Sequence, residues 1–173
     1  MDLWVLGRNL TGKSFIRARA TEVDRAAGLT ILRVSIRIEQ NCTNVRWEKV
    51  AEILSIVGMA SFAPEFHRKA FESSHSTVFA YHAGELIGCG RAISDGICQA
   101  AIYDVAVLPE YQGKGIGRTI VEALCAPLEH CNVILYAMPG KENFYQKLGF
   151  RSMKTAMARF VRPDVMAQKG FTN

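Results

Sequence analysis

The sequence predicts a mixed α/β (α+β) fold, a sheet with helices on both faces, and three observations carry that expectation. Alternating or continuous apolar runs mark strands, and apolar residues at 3.6-residue spacing mark helices. The two kinds interleave in the order β-α-α-β-β-β-α-β-α-β. Two of the strands are separated by a short turn, so part of the sheet pairs antiparallel. A chain of 173 residues reads as one domain with room for one substantial core.

Residues 1–28 are the least legible part and are read as an N-terminal extension, helical or disordered, ahead of a single domain at 29–173. "TILRVSIRIE" (30–39) alternates apolar and polar residues, the period of a half-buried strand. "NVRWEKVAEILSIVGMA" (44–60) places Val50, Ile53, Leu54 and Val57 at helical spacing, and "PEFHRKAFESS" is a second helix with Pro64 in its first turn. "TVFAYHAGELIGCGRAIS" (77–94) is a hairpin around Ala83-Gly84, and Asp95-Gly96 supplies the next turn. "QAAIYDVAVL" (99–108) and "NVILYAM" (132–138) are apolar enough to be buried on both faces. Between them "GIGRTIVEALCAPLEH" is a helix with an apolar stripe at Ile116, Ile120, Val121 and Leu124. "KENFYQKLGF" is a short helix ending at Gly149, and "SMKTAMARFV" (152–161) a last strand.

Composition bounds the function. With 49% hydrophobic and 21% charged residues the chain has the make-up of a soluble globular protein. No stretch approaches the roughly 18 apolar residues of a membrane span. "MDLWVLGRNL" lacks a basic lead-in and a long apolar run, so no signal peptide is expected and the cytoplasm is the expected compartment. The five cysteines have no C-x-x-C or zinc-like spacing and read as reduced thiols, with no metal site. A net charge of +5 without an aromatic-interleaved basic stripe argues against nucleic acid and suits a small anionic ligand.

Two glycine-rich loops compete for such a ligand. "GRNLTGKS" (7–14) fits the P-loop template, but strands arriving in hairpins do not make the repeated βα units that a nucleotide-hydrolysing fold needs. It is read as a chance match. "QGKGIG" (112–117) has the better context, between a long apolar strand and an amphipathic helix. Gly113, Gly115 and Gly117 then lie at a helix N-terminus, where unpaired amides and the helix dipole can hold a diphosphate. Lys114 and Arg118 add positive charge nearby.

"DVAVLPEYQGKGIGRTIVEAL" (104–124) resembles the acyl-CoA-binding motif of the GNAT superfamily, the Gcn5-related N-acetyltransferases, and "ENFYQKLGF" resembles that family's second motif. The resemblance covers about residues 45–160. It implies a mostly antiparallel twisted sheet of six to seven strands, splayed between two central parallel strands, 99–108 and 132–138. It also implies that acetyl-CoA is the cofactor. Its pantetheine arm would pair with the backbone of Val105, Ala106 and Val107, whose side chains also suit core packing, and its pyrophosphate would meet the amides of Gln112, Gly113, Lys114, Gly115, Ile116, Gly117 and Arg118.

The implied reaction is transfer of the acetyl group to a primary amine of a small molecule by direct attack on the thioester. A protein or peptide acceptor, or a CoA-binding sensor without turnover, is the alternative. Tyr145 matches the family position that protonates the leaving thiolate, and the competing reading is a packing aromatic. Asn143 matches a position that hydrogen-bonds pantetheine or caps the short helix. An amide near Val105 could stabilise the oxyanion. For the base, Asp104 and Tyr103 are candidates beside a water chain, and they face opposite sides of the strand unless a bulge intervenes. Asp104 held by a nearby backbone group is the bland reading. His67, His75, His82 and His130 read as surface or loop and receive no role. The family often dimerises, so a homodimer is an open expectation.

Overall fold

A computed structural model describes residues 35–59 and 62–172 with their side chains, and 5–8 and 14–17 as backbone. The chain divides into two compact units, residues 1–134 and 135–173.

The first unit holds a sheet whose strands neighbour one another in chain order. They are β1 (Val5–Arg8), β2 (Ser14–Arg17), β3 (Ile36–Glu39), β4 (Ser76–His82), β5 (Glu85–Ser94), β6 (Gln99–Val107) and β7 (Asn132–Ile134). Every pairing is antiparallel except β6 with β7. Five of these strands, β3–β7, answer to strands expected from the sequence, short of the six to seven implied there. The missing one is 152–161, which forms no strand. Met157 and Val161 in that stretch are fully or almost fully exposed, and among the described residues it has no ladder partner. Alternation alone does not make a strand, because a strand exists only by pairing.

β1 and β2 lie in the stretch read as helical or disordered, and the remainder of 1–28 is outside the described residues. Val5 pairs with Arg17 and Arg8 with Ser14, so the chain after Gly7 returns as an antiparallel strand where a P-loop would open a helix.

Helices α1 (Trp47–Ile56), α2 (Pro64–Glu72) and α3 (Ile116–Cys125) complete this unit. Pro64 occupies the first turn of α2, where its missing N–H costs nothing. Ala83 and Gly84, both at positive φ, make the two-residue turn that joins β4 to β5. At the next turn the Asp95 carboxylate accepts from the amides of Ile97, Cys98 and Gln99 at 2.8–3.1 Å. Those bonds hold its acidity well above that of an ordinary carboxyl.

Helices cover both faces of the sheet. On one, Trp47 of α1, Phe71 of α2 and Phe79 of β4 meet edge-on or tilted at centroid separations of 5.4–6.0 Å. On the other, Ile120 and Leu124 of α3 lie directly over Gly88 and Gly90 of β5. A methyl on Gly90 would stand 2.8 Å from Ile120 Cγ2, and one on Gly88 would stand 2.8 Å from the Ala106 carbonyl oxygen. Glycine at these two positions lets α3 sit close against the strands that bound the site.

The second unit carries α4 (Glu142–Gln146) and α5 (Pro163–Gln168), with Tyr136 edge-on to Phe160 and Phe171. Among the described residues no helix is long and apolar enough to cross a membrane.

Candidate active site

The site begins where the sheet opens. β6 and β7 pair in parallel over only three positions, Gln99↔Asn132, Ala100↔Val133 and Ala101↔Ile134. From Ile102 to Val107 the other edge of β6 has no strand partner among the described residues. Exposed ladder donors and acceptors of this kind accept an added strand or a strand-like ligand. Val105 is half-buried, while Ala106 and Val107 are buried, so their side chains belong to the core and only their backbone remains available.

The chain leaves β6 through a 3-10 turn, Pro109–Tyr111, whose Tyr111 hydroxyl is 3.0 Å from His82 Nδ1 on β4. The Gln112 side-chain amide donates to the Val107 carbonyl at 2.8 Å, tying the loop back to the strand end. The side chain of Gln112 is thus structural, and its backbone N–H is also engaged, donating to the Pro109 carbonyl at 3.1 Å, so the expected pyrophosphate contact of the Gln112 amide does not hold and the ligand-facing amides start at Gly113. Gly113 and Gly115 have φ of 74° and 82°, with open space where a Cβ would stand. Gly115 is the N-cap of α3, no side chain caps the helix, and its first turn carries no acidic residue. The earliest bond of that turn is Thr119 N–H to the Gly115 carbonyl, so the amides of Ile116, Gly117 and Arg118 lack intrahelical acceptors. Open space, amides without intrahelical acceptors and the positive end of a ten-residue helix together suit a phosphate-bearing ligand. Lys114 and Arg118 flank the loop on the surface. Lys114 Nζ donates to the Glu110 carbonyl at 2.8 Å, and Arg118 pairs with Glu122 at 3.2 Å.

Asp104 sits in the open half of β6. Cys89 pairs with Ala106 and Arg91 with Tyr103, so Gly90 alone faces both Asp104 and Val105. This is a β-bulge, and Asp104 adopts φ of 55° within it. The extra residue cancels the expected alternation of Tyr103 and Asp104, for both reach Arg91. Arg91 Nε donates to Asp104 Oδ2 at 2.5 Å, while its guanidinium carbon lies 5.2 Å from the Tyr103 ring centroid. Arg91 also donates to Ser74 Oγ at 3.4 Å and lies 6.0 Å from the Phe71 ring centroid. The bland reading of Asp104 anticipated a backbone partner, and its partner is a side chain.

His67 was missed. On α2 it is 4% exposed, and its Nε2 has no hydrogen-bond partner among the described residues. The rings of Phe62 and Phe66 stand edge-on to it at 6.0 and 5.9 Å. Burial pushes the imidazole below its ordinary value, Asp104 pulls the other way, and Arg91 lowers it further. The signal was present, since His67 precedes Phe71 by four residues and therefore shares its buried helix face.

In the second unit Asn143 is exposed and follows the first residue of α4; the N-cap is Lys141, so the capping alternative for Asn143 does not hold. Tyr145 packs edge-on to Phe144 at 4.9 Å and Phe150 at 5.9 Å, and burial raises its phenol above the ordinary value.

The family described as acetyltransferase (GNAT) domain matches residues 73–152, which contain every element from β4 to α4. Serotonin N-acetyltransferase 2, chloroplastic, of rice (Oryza sativa subsp. japonica) is 34% identical over 134 residues, covering 72% of this chain and 62% of that protein. GCN5-related N-acetyltransferase 2, chloroplastic, of Arabidopsis thaliana is 45% identical over 71 residues, covering 39% of this chain and 28% of its own length. The chain thus spans less than two thirds of either relative. Among solved structures, a GNAT family acetyltransferase of Streptococcus pneumoniae superposes with a TM-score of 0.63 at 25% identity, covering 73% of this chain and 98% of that one.

Proposed function

The chain belongs to the GNAT superfamily, and from that premise we propose that it transfers an acetyl group from acetyl-CoA to a primary amine of a small molecule by direct attack on the thioester. The observation that carries the proposal is the adjacency of an unpaired strand edge, 102–107, to an uncapped helix N-terminus, 113–118. A long cosubstrate with amides in its arm and a diphosphate at its end suits that pair of features in that order. The backbone of Val105, Ala106 and Val107 takes the arm, and the amides of residues 113–118 take the diphosphate.

The amine nitrogen attacks the acetyl carbonyl carbon, the C–N bond forms and the C–S bond breaks. An amide near Val105 stabilises the developing oxyanion. Tyr145 gives the thiolate its proton, an assignment that rests on the match of "ENFYQKLGF" to the family motif, and a phenol raised by burial is protonated at neutral pH. Asn143 contributes a pantetheine contact on the same footing. The Asp104 carboxylate is engaged by Arg91 and serves better as a fixed charge in the bulge than as the proton acceptor. The five free cysteines agree with a reducing compartment, and the cytoplasm is our placement. The rice relative's name points to an aromatic amine as one acceptor to try first.

The test is direct. Acetyl-CoA is expected to raise the thermal midpoint while ATP with magnesium leaves it unchanged, and thiol release is expected from a panel of small primary amines. Binding without any thiol release would leave the sensor reading in its place, and stabilisation by ATP alone would refute the proposal.

A further inference from the structure

An amine that attacks a thioester must lose a proton, and with Asp104 tied to Arg91 the structure needs another acceptor. His67 Nε2 is a buried polar atom with no partner among the described residues, an uncommon state in a folded protein. It is also placed where such an atom would be useful. Its helix packs on the face of the sheet where the β6 bulge presents Asp104, and both Asp104 and Arg91 act electrostatically on its ring. Outside it, Phe62 and Phe66 stack at 4.2 Å and are each about half exposed, 47% and 53%. A half-exposed aromatic pair, with ring centroids 6.0 and 5.9 Å from the imidazole, thus separates the buried unpaired nitrogen from the surface by two side chains alone.

We propose that His67 Nε2 accepts the proton of the attacking amine, with Phe62 and Phe66 walling its approach. This rests on the acetyl-transfer reading above. As the C–N bond forms, the proton passes from the amine nitrogen to Nε2 and the imidazole becomes imidazolium. The nearby Asp104 carboxylate favours that charge and Arg91 opposes it, which limits its lifetime and returns the proton to solvent. The charged groups that bear on the ring are Asp104 on β6 and Arg91 on β5; on its own helix Glu65 and Arg68 pair with each other at 2.8 Å. Because burial holds the imidazole below its ordinary value, it is neutral and ready to accept at physiological pH.

The test compares wild type, His67→Gln and, as a control at an exposed position, His130→Gln, in thiol release from acetyl-CoA with tryptamine, spermidine and lysine methyl ester as acceptor probes. In wild type, kcat is expected to fall on the acid side along a limb centred below about 6.5, the ordinary imidazole value. In His67→Gln, kcat at pH 7 is expected to drop tenfold or more, that limb to vanish, and the acetyl-CoA Kd to stay within twofold. His130→Gln is expected to match wild type. An active wild type with His67→Gln within twofold of it and an unchanged limb overturns the assignment of His67 alone. A wild type that binds acetyl-CoA but turns over none of the three amines overturns both this inference and the small-amine reading. Should His67→Gln fail to fold, nitrogen NMR of wild-type His67 decides. A ring titration coinciding with the kinetic limb supports the proposal, and a titration displaced from it by a pH unit or more overturns it.

Discussion

Gly90→Ala tests how tightly α3, and with it the turn proposed to bind the diphosphate, is seated on the sheet. Gly90 does not hold a positive φ, so an alanine is acceptable to the backbone and the effect comes from contact alone. The added methyl would lie 2.8 Å from Ile120 Cγ2 and 3.0 Å from Leu124 Cδ1. Both residues are fully buried, and Cγ2 is fixed to a β-branched carbon whose rotamer is restricted in a helix, so it cannot swing aside. Overpacking of this kind costs about 1–3 kcal/mol, partly offset by about 0.4–1 kcal/mol from the stiffer unfolded chain. A net loss of about 1–2 kcal/mol corresponds to a fall in thermal midpoint of roughly 2–8 °C for a chain of this size. Urea unfolding followed by tryptophan fluorescence measures it, since Trp47 packs within the core aromatic cluster. Ile120→Ala removes the opposing methyl, so the double variant should be less destabilised than the sum of the singles by about 0.5 kcal/mol or more. Strict additivity, or a Gly90→Ala variant as stable as wild type, would refute the close-approach argument. Acetyl-CoA affinity should fall in Gly90→Ala, because the helix displaced is the one whose N-terminus we propose for the diphosphate.

Tyr145→Phe should lower turnover several-fold or more with acetyl-CoA affinity nearly unchanged, and unaltered turnover would remove the proton-donor assignment. Arg91→Met leaves Asp104 without its guanidinium; with side chains 19% and 28% exposed, the pair is only partly buried, and we expect a loss of about 1–3 kcal/mol in urea unfolding. Adding Asp104→Asn to that variant should recover part of the loss, and no recovery would contradict the pairing. His67 has a folded-state value below its unfolded one, so the unfolded chain binds the extra proton first. Stability is therefore complete above about pH 6.5 and is lost as pH falls from there toward the folded value. The urea midpoint should drop between pH 7 and pH 5 by more in wild type than in His67→Gln, and equal drops would contradict the burial of a neutral ring.

The features legible in the sequence were those written in local chemistry. Gly84 marked the hairpin turn because glycine accepts the positive φ that a two-residue turn requires, although Ala83 must adopt φ of 48° beside it. The spacing of Gly113, Gly115 and Gly117 before an apolar stripe located the start of α3. Illegible features depended on partners distant in the chain. The Asp104 bulge exists because Gly90, on another strand, faces two residues, and no local pattern around Asp104 announces it. Arg91 stands alone in an apolar run, and its partner lies thirteen residues on. His67 was set aside because its charged flanks suggested surface, although its four-residue offset from Phe71 placed it inward. The alternation at 152–161 has no ladder to join among the described residues, and β1 and β2, at four residues each, are too short to show a period.

Amide hydrogen exchange of the full chain, with and without acetyl-CoA, tests the central claim most directly. The account predicts slowed exchange at residues 102–107 and 113–118 when acetyl-CoA is added, and none when ATP with magnesium replaces it. Protection elsewhere with these two segments unchanged, or protection of residues 7–14 by ATP, would contradict it.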